Sequence, residues 1–251
     1  MKRINLILAA FIGAFCFGSA IADEVQVAVA ANFSVPIEEI AKSFNRATGH
    51  QLKISTGASG KFYAQIKQGA PFQVFLSADE EKPVLLEKEG LAVQGTRFTY
   101  AIGKLVLWSA EPSVVDAKGK VLEKNQFNRI AIANPKTAPY GEAAIETLDA
   151  LRLKHQIEPK IVMGESISQT YQFVATGNAA IGFVALSQIT KNNKIVEGSA
   201  WLVPEKLYSP INQDAVLLVK GKDSAAARQF LAFLKGEEAL KVIKSYGYGV
   251  N

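Results

Sequence analysis

Residues Val27 to Glu81 read VAVAANFSVPIEEIAKSFNRATGHQLKISTGASGKFYAQIKQGAPFQVFLSADEE, and small polar clusters stand wherever an apolar strand gives way to a helix. Asn32-Phe33-Ser34 follows the first strand and Thr56-Gly57-Ala58-Ser59-Gly60 follows the second. A helix start carries unpaired backbone N–H groups and a partial positive charge, so it holds an anion without a cationic side chain beside it. Two such mouths on neighbouring units of one sheet point to a binding cleft. They do not point to catalysis.

Around this stretch the alternation of strand and helix is nearly continuous. Glu24 to Ala31 is a valine-rich strand, and Pro36 to Arg46 places Ile37, Ile40, Ala41 and Phe44 on one helix face. Gln51 to Ser55 is a strand, Lys61 to Gln68 a helix closed by Gly69-Ala70-Pro71, and Val74 to Leu76 a third strand. Ser77-Ala78-Asp79 then reads as the start of a helix that runs to about Glu89. Strands this apolar between helices imply a mostly parallel sheet covered on both faces.

Thr96 to Ala110, TRFTYAIGKLVLWSA, breaks the rhythm as one long extended run interrupted by Gly103, as expected of a strand leaving one lobe for another. Beyond it come strand Arg129–Ala133, helix Glu142–Leu151, strand Lys160–Val162, helix Ile167–Thr176 and strand Ala180–Val184. Gln213 to Val219 is a strand, and Ala225–Leu234 and Glu237–Ser245 are helices that return to the first lobe. The reading is an α/β protein of two lobes, each a mostly parallel sheet flanked by helices, joined by two hinge strands. Residues 23–103 and 216–251 form the first lobe and 104–215 the second. The second lobe repeats the strand-to-helix mouths in NPKTAPYG, Asn134 to Gly141, and in GESIS, Gly164 to Ser168. Ligands of open α/β sheets sit beyond the carboxyl ends of such strands.

Composition narrows the function. The chain has 251 residues, 49% of them hydrophobic and 20% charged, which fits a globular protein with a sizeable core. Lys2-Arg3, the apolar run Ile4 to Gly18 and Ala20-Ile21-Ala22 read as a leader cleaved after Ala22, which predicts an exported protein. Cys16, the single cysteine, lies in that leader, and the chain from Asp23 onward has none for disulfides, metal sites or a thiol nucleophile. From Asp23 onward 26 Lys and Arg face 23 Asp and Glu, a balance of +3 that is too small and too scattered to argue for nucleic acid.

Catalytic motifs fail on inspection. GASGKF, Gly57 to Phe62, has the glycine spacing of no phosphate loop and carries Phe62 where a hydroxyl would hold magnesium. Gly164 to Ser168 falls one glycine short of a nucleophile elbow at Ser166. His50 and His155 read as surface residues, and Asp79-Glu80-Glu81 as the first turn of a helix.

Taken in order, AANFS at Ala30–Ser34, the GASGK, AQI, GAP and FLSAD series from Gly57 to Asp79, the NP and PYG loop, IGFV at Ile181–Val184 and the terminal KSYGYG resemble the periplasmic molybdate-binding proteins of bacterial ABC transporters, which have the type II periplasmic binding protein fold. The resemblance covers essentially the whole chain after the leader. It implies a monomeric periplasmic receptor without a cofactor, which binds molybdate, and tungstate also, and hands it to a membrane permease. Its ligand residues would be Asn32, Ser59, Tyr140 and Ile167, with Ala31 adding a donor. They would hydrogen-bond the oxygens of the anion, with no direct ligand to molybdenum. Asn32 and Ser59 would give side-chain and backbone donors, Tyr140 and Ile167 mainly backbone N–H groups. Two departures stand out. Ala185 occupies a position where many members have an oxyanion-binding tyrosine, a gap that Tyr140 would fill, and Gln73 replaces a usual aspartate. The competing readings are a receptor for sulfate or another oxyanion, and an exported hydrolase using Ser166.

Overall fold

A computed structural model describes residues 23–250, and the expected leader lies outside the described residues. In chain order the elements of the first part are β1 (Glu24–Ala30), α1 (Ser34–Thr48), β2 (Gln51–Gly57), α2 (Ser59–Lys67), β3 (Val74–Leu76), α3 (Glu81–Lys88) and β4 (Phe98–Gly103). The second part holds β5 (Leu105–Ser109), α4 (Lys120–Lys124), β6 (Ile130–Ala133), α5 (Pro139–Ala150), α6 (Lys154–Ile157), β7 (Ile161–Gly164), α7 (Ile167–Ala175), β8 (Ile181–Ala185) and α8 (Leu186–Ile189). A small hairpin, β9 (Thr190–Lys191) and β10 (Lys194–Ile195), precedes β11 (Ser199–Leu202). Then β12 (Ile211–Leu217), α9 (Ala225–Leu234) and α10 (Glu237–Ser245) complete the fold.

Two five-stranded sheets carry the two lobes, with strand orders β2-β1-β3-β12-β4 and β11-β5-β8-β6-β7. In the first, β12 alone runs against its neighbours, and in the second β5 alone does so. Each opposed strand is the one that has just arrived from the other lobe. The first crossing passes through Lys104 alone and the second through residues 203–210. Residues 211–215, read from the sequence as part of the second lobe, are instead the opening of β12 and pair with β4 in the first sheet. The strand read from Gln213 begins two residues earlier, at Ile211, and takes in the polar run Asn212-Gln213-Asp214. That run is strand because Gln213 and Asp214, both fully buried, find side-chain partners inside the protein.

Packing explains why the helices form where they do. α1 buries Ile37, Ile40 and Phe44 against the first sheet, and Phe44 meets Phe230 and Phe233 of α9 edge-on at 5.4 and 5.5 Å. Each fully buried side chain of this size contributes roughly 1.5–3 kcal/mol. Both terminal helices do pack on the first lobe, through Ala226, Phe230, Leu234 and Ile243. The second core centres on Leu105, Leu107, Ile130, Ile132 and Phe183. Helix starts differ from expectation by a few residues. α2 begins at Ser59, and α5 begins at Pro139, whose fixed φ suits a first helical turn. α3 begins only at Glu81, with Asp79 Oδ1 accepting from Lys82 N at 2.8 Å. No described helix is long and apolar enough to cross a membrane.

Candidate functional site

The four mouths come in two registered pairs. Ala30 at the end of β1 pairs with Gly57 at the end of β2, and Ala133 at the end of β6 with Gly164 at the end of β7. The first pair leads into a single 3-10 turn at Ala31–Phe33 and into α2, and the second into α5 and α7. Asn32 thus lies in the 3-10 turn, Ser59 and Ile167 are the first residues of α2 and α7, and Tyr140 is the second residue of α5. Ala31, Asn32, Ser59, Tyr140 and Ile167 all line one small pocket of about 10 Å³, and none of the residues lining it is charged. A second, larger groove of about 230 Å³ is lined by Asp79, Glu80, Glu81, Glu142 and Glu146, carboxylates that repel an anion.

The lobes touch around the smaller pocket. Gly60 N–H donates to Thr137 O at 2.9 Å, Ser168 Oγ to Ala31 O at 3.2 Å and Ser187 Oγ to Asn32 O at 2.9 Å. Gly60 permits this approach, because a Cβ there would stand 3.0 Å from Thr137 Cα.

Each side chain has a definite hydrogen-bonding state. Ser59 Oγ accepts from Ala78 N–H at 2.9 Å, which leaves its own proton for the pocket. Asn32, only 2% exposed, differs from expectation. Its Nδ2 donates to Gln213 Oε1 and to Tyr248 OH, both at 2.8 Å, so neither amide proton is free, while Oδ1 has no partner among the described residues. The Tyr140 hydroxyl accepts from Gln213 Nε2 at 3.1 Å and lies in one buried cluster with Ala185. Gln73 accepts from Gln26 N–H at 3.0 Å, a backbone tie along β1. Sequence reading missed Gln213, Tyr248, Ser187 and Tyr100 as a connected group behind the pocket. Its signal was present as polar Gln213-Asp214 ahead of an apolar run, and as the tyrosines of KSYGYG.

The hydrolase reading finds no support in this geometry. Ser166 Oγ caps α7 by accepting from Gln169 N–H at 3.3 Å, and neither histidine hydrogen-bonds it.

Four buried phenols resist ionisation. Burial, followed by mutual repulsion with Tyr248, pushes Tyr100 and Tyr140 well up. Burial pushes Tyr248 up against the opposing hydrogen bonds to Ser187 and Asn32. Tyr246, hydrogen-bonded to Glu39 after burial, is pushed up to about 12. A raised folded value means that the stability from these groups is fully present below the unfolded tyrosine value near 10 and is lost above it. Urea midpoints of the protein should therefore hold steady up to about pH 9 and fall steeply beyond pH 10. Tyrosinate absorbance from these four phenols should appear with unfolding and not before it.

A family model described as bacterial extracellular solute-binding protein matches residues 25–249. The chain belongs to that family. Among its solute-binding relatives, a molybdate-binding protein ModA of Azotobacter vinelandii is 58% identical over 91% of both chains. One of Rhodobacter capsulatus is 56% identical over 91% of this chain and 89% of its own. The solved structure of the Azotobacter vinelandii periplasmic molybdate-binding protein superposes with a TM-score of 0.88, at 46% identity, over 90% of this chain and 99% of that one.

Proposed function

We propose that the protein is a periplasmic receptor, not an enzyme, that captures molybdate, and tungstate also, between its lobes and delivers it as a monomer to the permease of an ABC transporter. The observation that carries the reading is the convergence of Ala31, Asn32, Ser59, Tyr140 and Ile167 on one pocket without a charged side chain. Such a pocket is rich in backbone N–H donors. Hydrogen bonds to a charged group contribute roughly 1.5–3 kcal/mol each, so six give about 9–18 kcal/mol before the dianion's desolvation is subtracted. Micromolar binding requires about 8 kcal/mol net.

A donor set also selects for anions that carry no proton. Hydrogen phosphate brings an O–H that needs an acceptor, and burying it unpaired disfavours binding. Calorimetry of the protein with molybdate, tungstate, sulfate and phosphate side by side tests the reading. Tight binding of the first two, with phosphate excluded, is the expected result. Preferential binding of sulfate would instead make the chain a sulfate receptor.

Ser59→Ala removes the hydroxyl whose proton faces the pocket and leaves Ala78 N–H without its acceptor. Molybdate affinity should fall by at least ~1.5 kcal/mol, more than ten-fold, in the same titration. Unchanged affinity would remove Ser59 from the site.

A further inference from the structure

We infer that Gln213 is a positioning residue that sets which atom of Asn32 faces the anion pocket, and that the Tyr140 hydroxyl acts on the anion through Gln213 and not by touching it. The inference rests on the oxyanion-receptor reading of the pocket. Gln213 is fully buried in β12, and Tyr100, Tyr140 and Tyr248 around it are each 6% exposed or less. Neither Gln213 nor Tyr248 lines the pocket, so the Asn32 nitrogen that they hold is turned behind the pocket wall. The other arm of the carboxamide, Oδ1, is left unpartnered among the described residues. The proton of the Tyr140 hydroxyl likewise meets no acceptor there, since its one hydrogen bond is received from Gln213 Nε2. Buried polar groups are seldom left this way.

A half-turn of both carboxamides gives Asn32 Oδ1 a donor and the Tyr140 proton an acceptor at once, because amide oxygen and nitrogen are nearly the same size. Tyr140 OH then donates to Gln213 Oε1. Gln213 Nε2 donates to Asn32 Oδ1 and to Tyr100 OH, which passes its own proton to Ser77 O, 3.2 Å away. Tyr248 OH moves its proton from Asn32 O and Ser187 Oγ, each 2.9 Å away, to Asn32 Oδ1, and Ser187 Oγ still donates to Asn32 O. The two turns are coupled. Turning either amide alone sets oxygen against oxygen or nitrogen against nitrogen at 2.8 Å.

In the turned state only the Asn32 NH₂ lacks an acceptor, and a fully deprotonated oxyanion supplies one. In the unturned state the pocket side of Asn32 is a carbonyl oxygen, which repels such an anion. Binding and the half-turn therefore favour each other. Gly103, the last residue of β4 before the first crossing, keeps the space that this pair occupies. A Cβ there would stand 2.2 Å from Tyr140 OH and 2.6 Å from Gln213 Nε2.

A double-mutant cycle with molybdate calorimetry tests the relay, using Tyr140→Phe, Gln213→Leu and the pair. Each single replacement should weaken binding roughly ten-fold, and Tyr140→Phe should add almost nothing in the Gln213→Leu background. Equal losses from Tyr140→Phe in both backgrounds would mean direct contact with the anion and overturn the inference, as would wild-type affinity in Tyr140→Phe. Side-chain amide NMR of the unaltered protein gives a readout independent of any variant. With molybdate bound, the Gln213 NH₂ protons should show cross-relaxation to the Tyr100 ring and not to the Tyr140 ring. Contacts to Tyr140 alone in the saturated protein would overturn it. A wild-type protein that fails to bind molybdate in the same titration would sink the receptor reading itself, an outcome distinct from an additive cycle in a protein that binds.

Discussion

Gly60→Val should lower molybdate affinity at least about a hundred-fold, roughly 2.7 kcal/mol, while the unliganded protein stays as stable as before. Gly60 is the second residue of α2, and its N–H meets Thr137 O of the opposite lobe at 2.9 Å. Even a Cβ would stand 3.0 Å from Thr137 Cα and 3.2 Å from Thr137 O, and both are backbone atoms that cannot swing aside. The γ carbons of valine reach further, so the lobes cannot close over the pocket. No left-handed backbone is required at this position, so the helix itself accepts a side chain. Calorimetry reads the loss of affinity, thermal melting the intact fold, and solution scattering the lobes held apart with molybdate present. Full affinity in this variant would mean that binding does not require the closed contact at Thr137.

Arg97→Leu should destabilise the protein by about 3–5 kcal/mol, the usual cost of leaving a buried charge without its partner. The Asp214 carboxylate is fully buried and receives hydrogen bonds from Arg97 and from Thr99 Oγ1, the latter at 2.7 Å. The bond to Asp214 leads the causes that raise the Arg97 guanidinium above its ordinary value, followed by opposing burial and a second bond to Glu87. The pair pins β12 against β4 where the register shifts between Gln213 and Asp214. Urea unfolding measures the loss. Adding Asp214→Asn should recover much of it, because the orphaned charge goes with it. A neutral Arg97→Leu would mean that Asp214 is held by the rest of its surroundings.

The four mouths were legible because valine-rich strands run directly into glycine- and serine-rich clusters, and short-range chemistry decides where a helix starts. The registers Ala30 with Gly57 and Ala133 with Gly164 then follow from parallel pairing. Gln213 and Asp214 were misplaced because their partners are remote. Asn32 is 181 residues away and Arg97 is 117, and no local pattern announces them. β11 was unread for another reason, since the four residues Ser199–Leu202 are too few to display a period. Tyr140 was read in the connection ahead of a helix at Glu142, whereas the helix begins at Pro139, whose fixed φ suits its first position. The orientation of the Asn32 carboxamide depends on three tyrosines and a glutamine from separate elements, so no stretch of sequence carries it.

The most direct test is a crystal structure of the protein grown with molybdate, with the molybdenum located by its anomalous scattering. The account predicts one strong peak in the pocket between the lobes, its oxygens about 2.8 Å from N–H and O–H donors of Asn32, Ser59, Tyr140 and Ile167, and no lysine or arginine against them. A peak elsewhere, or an anion held in the pocket by a basic side chain, would contradict it.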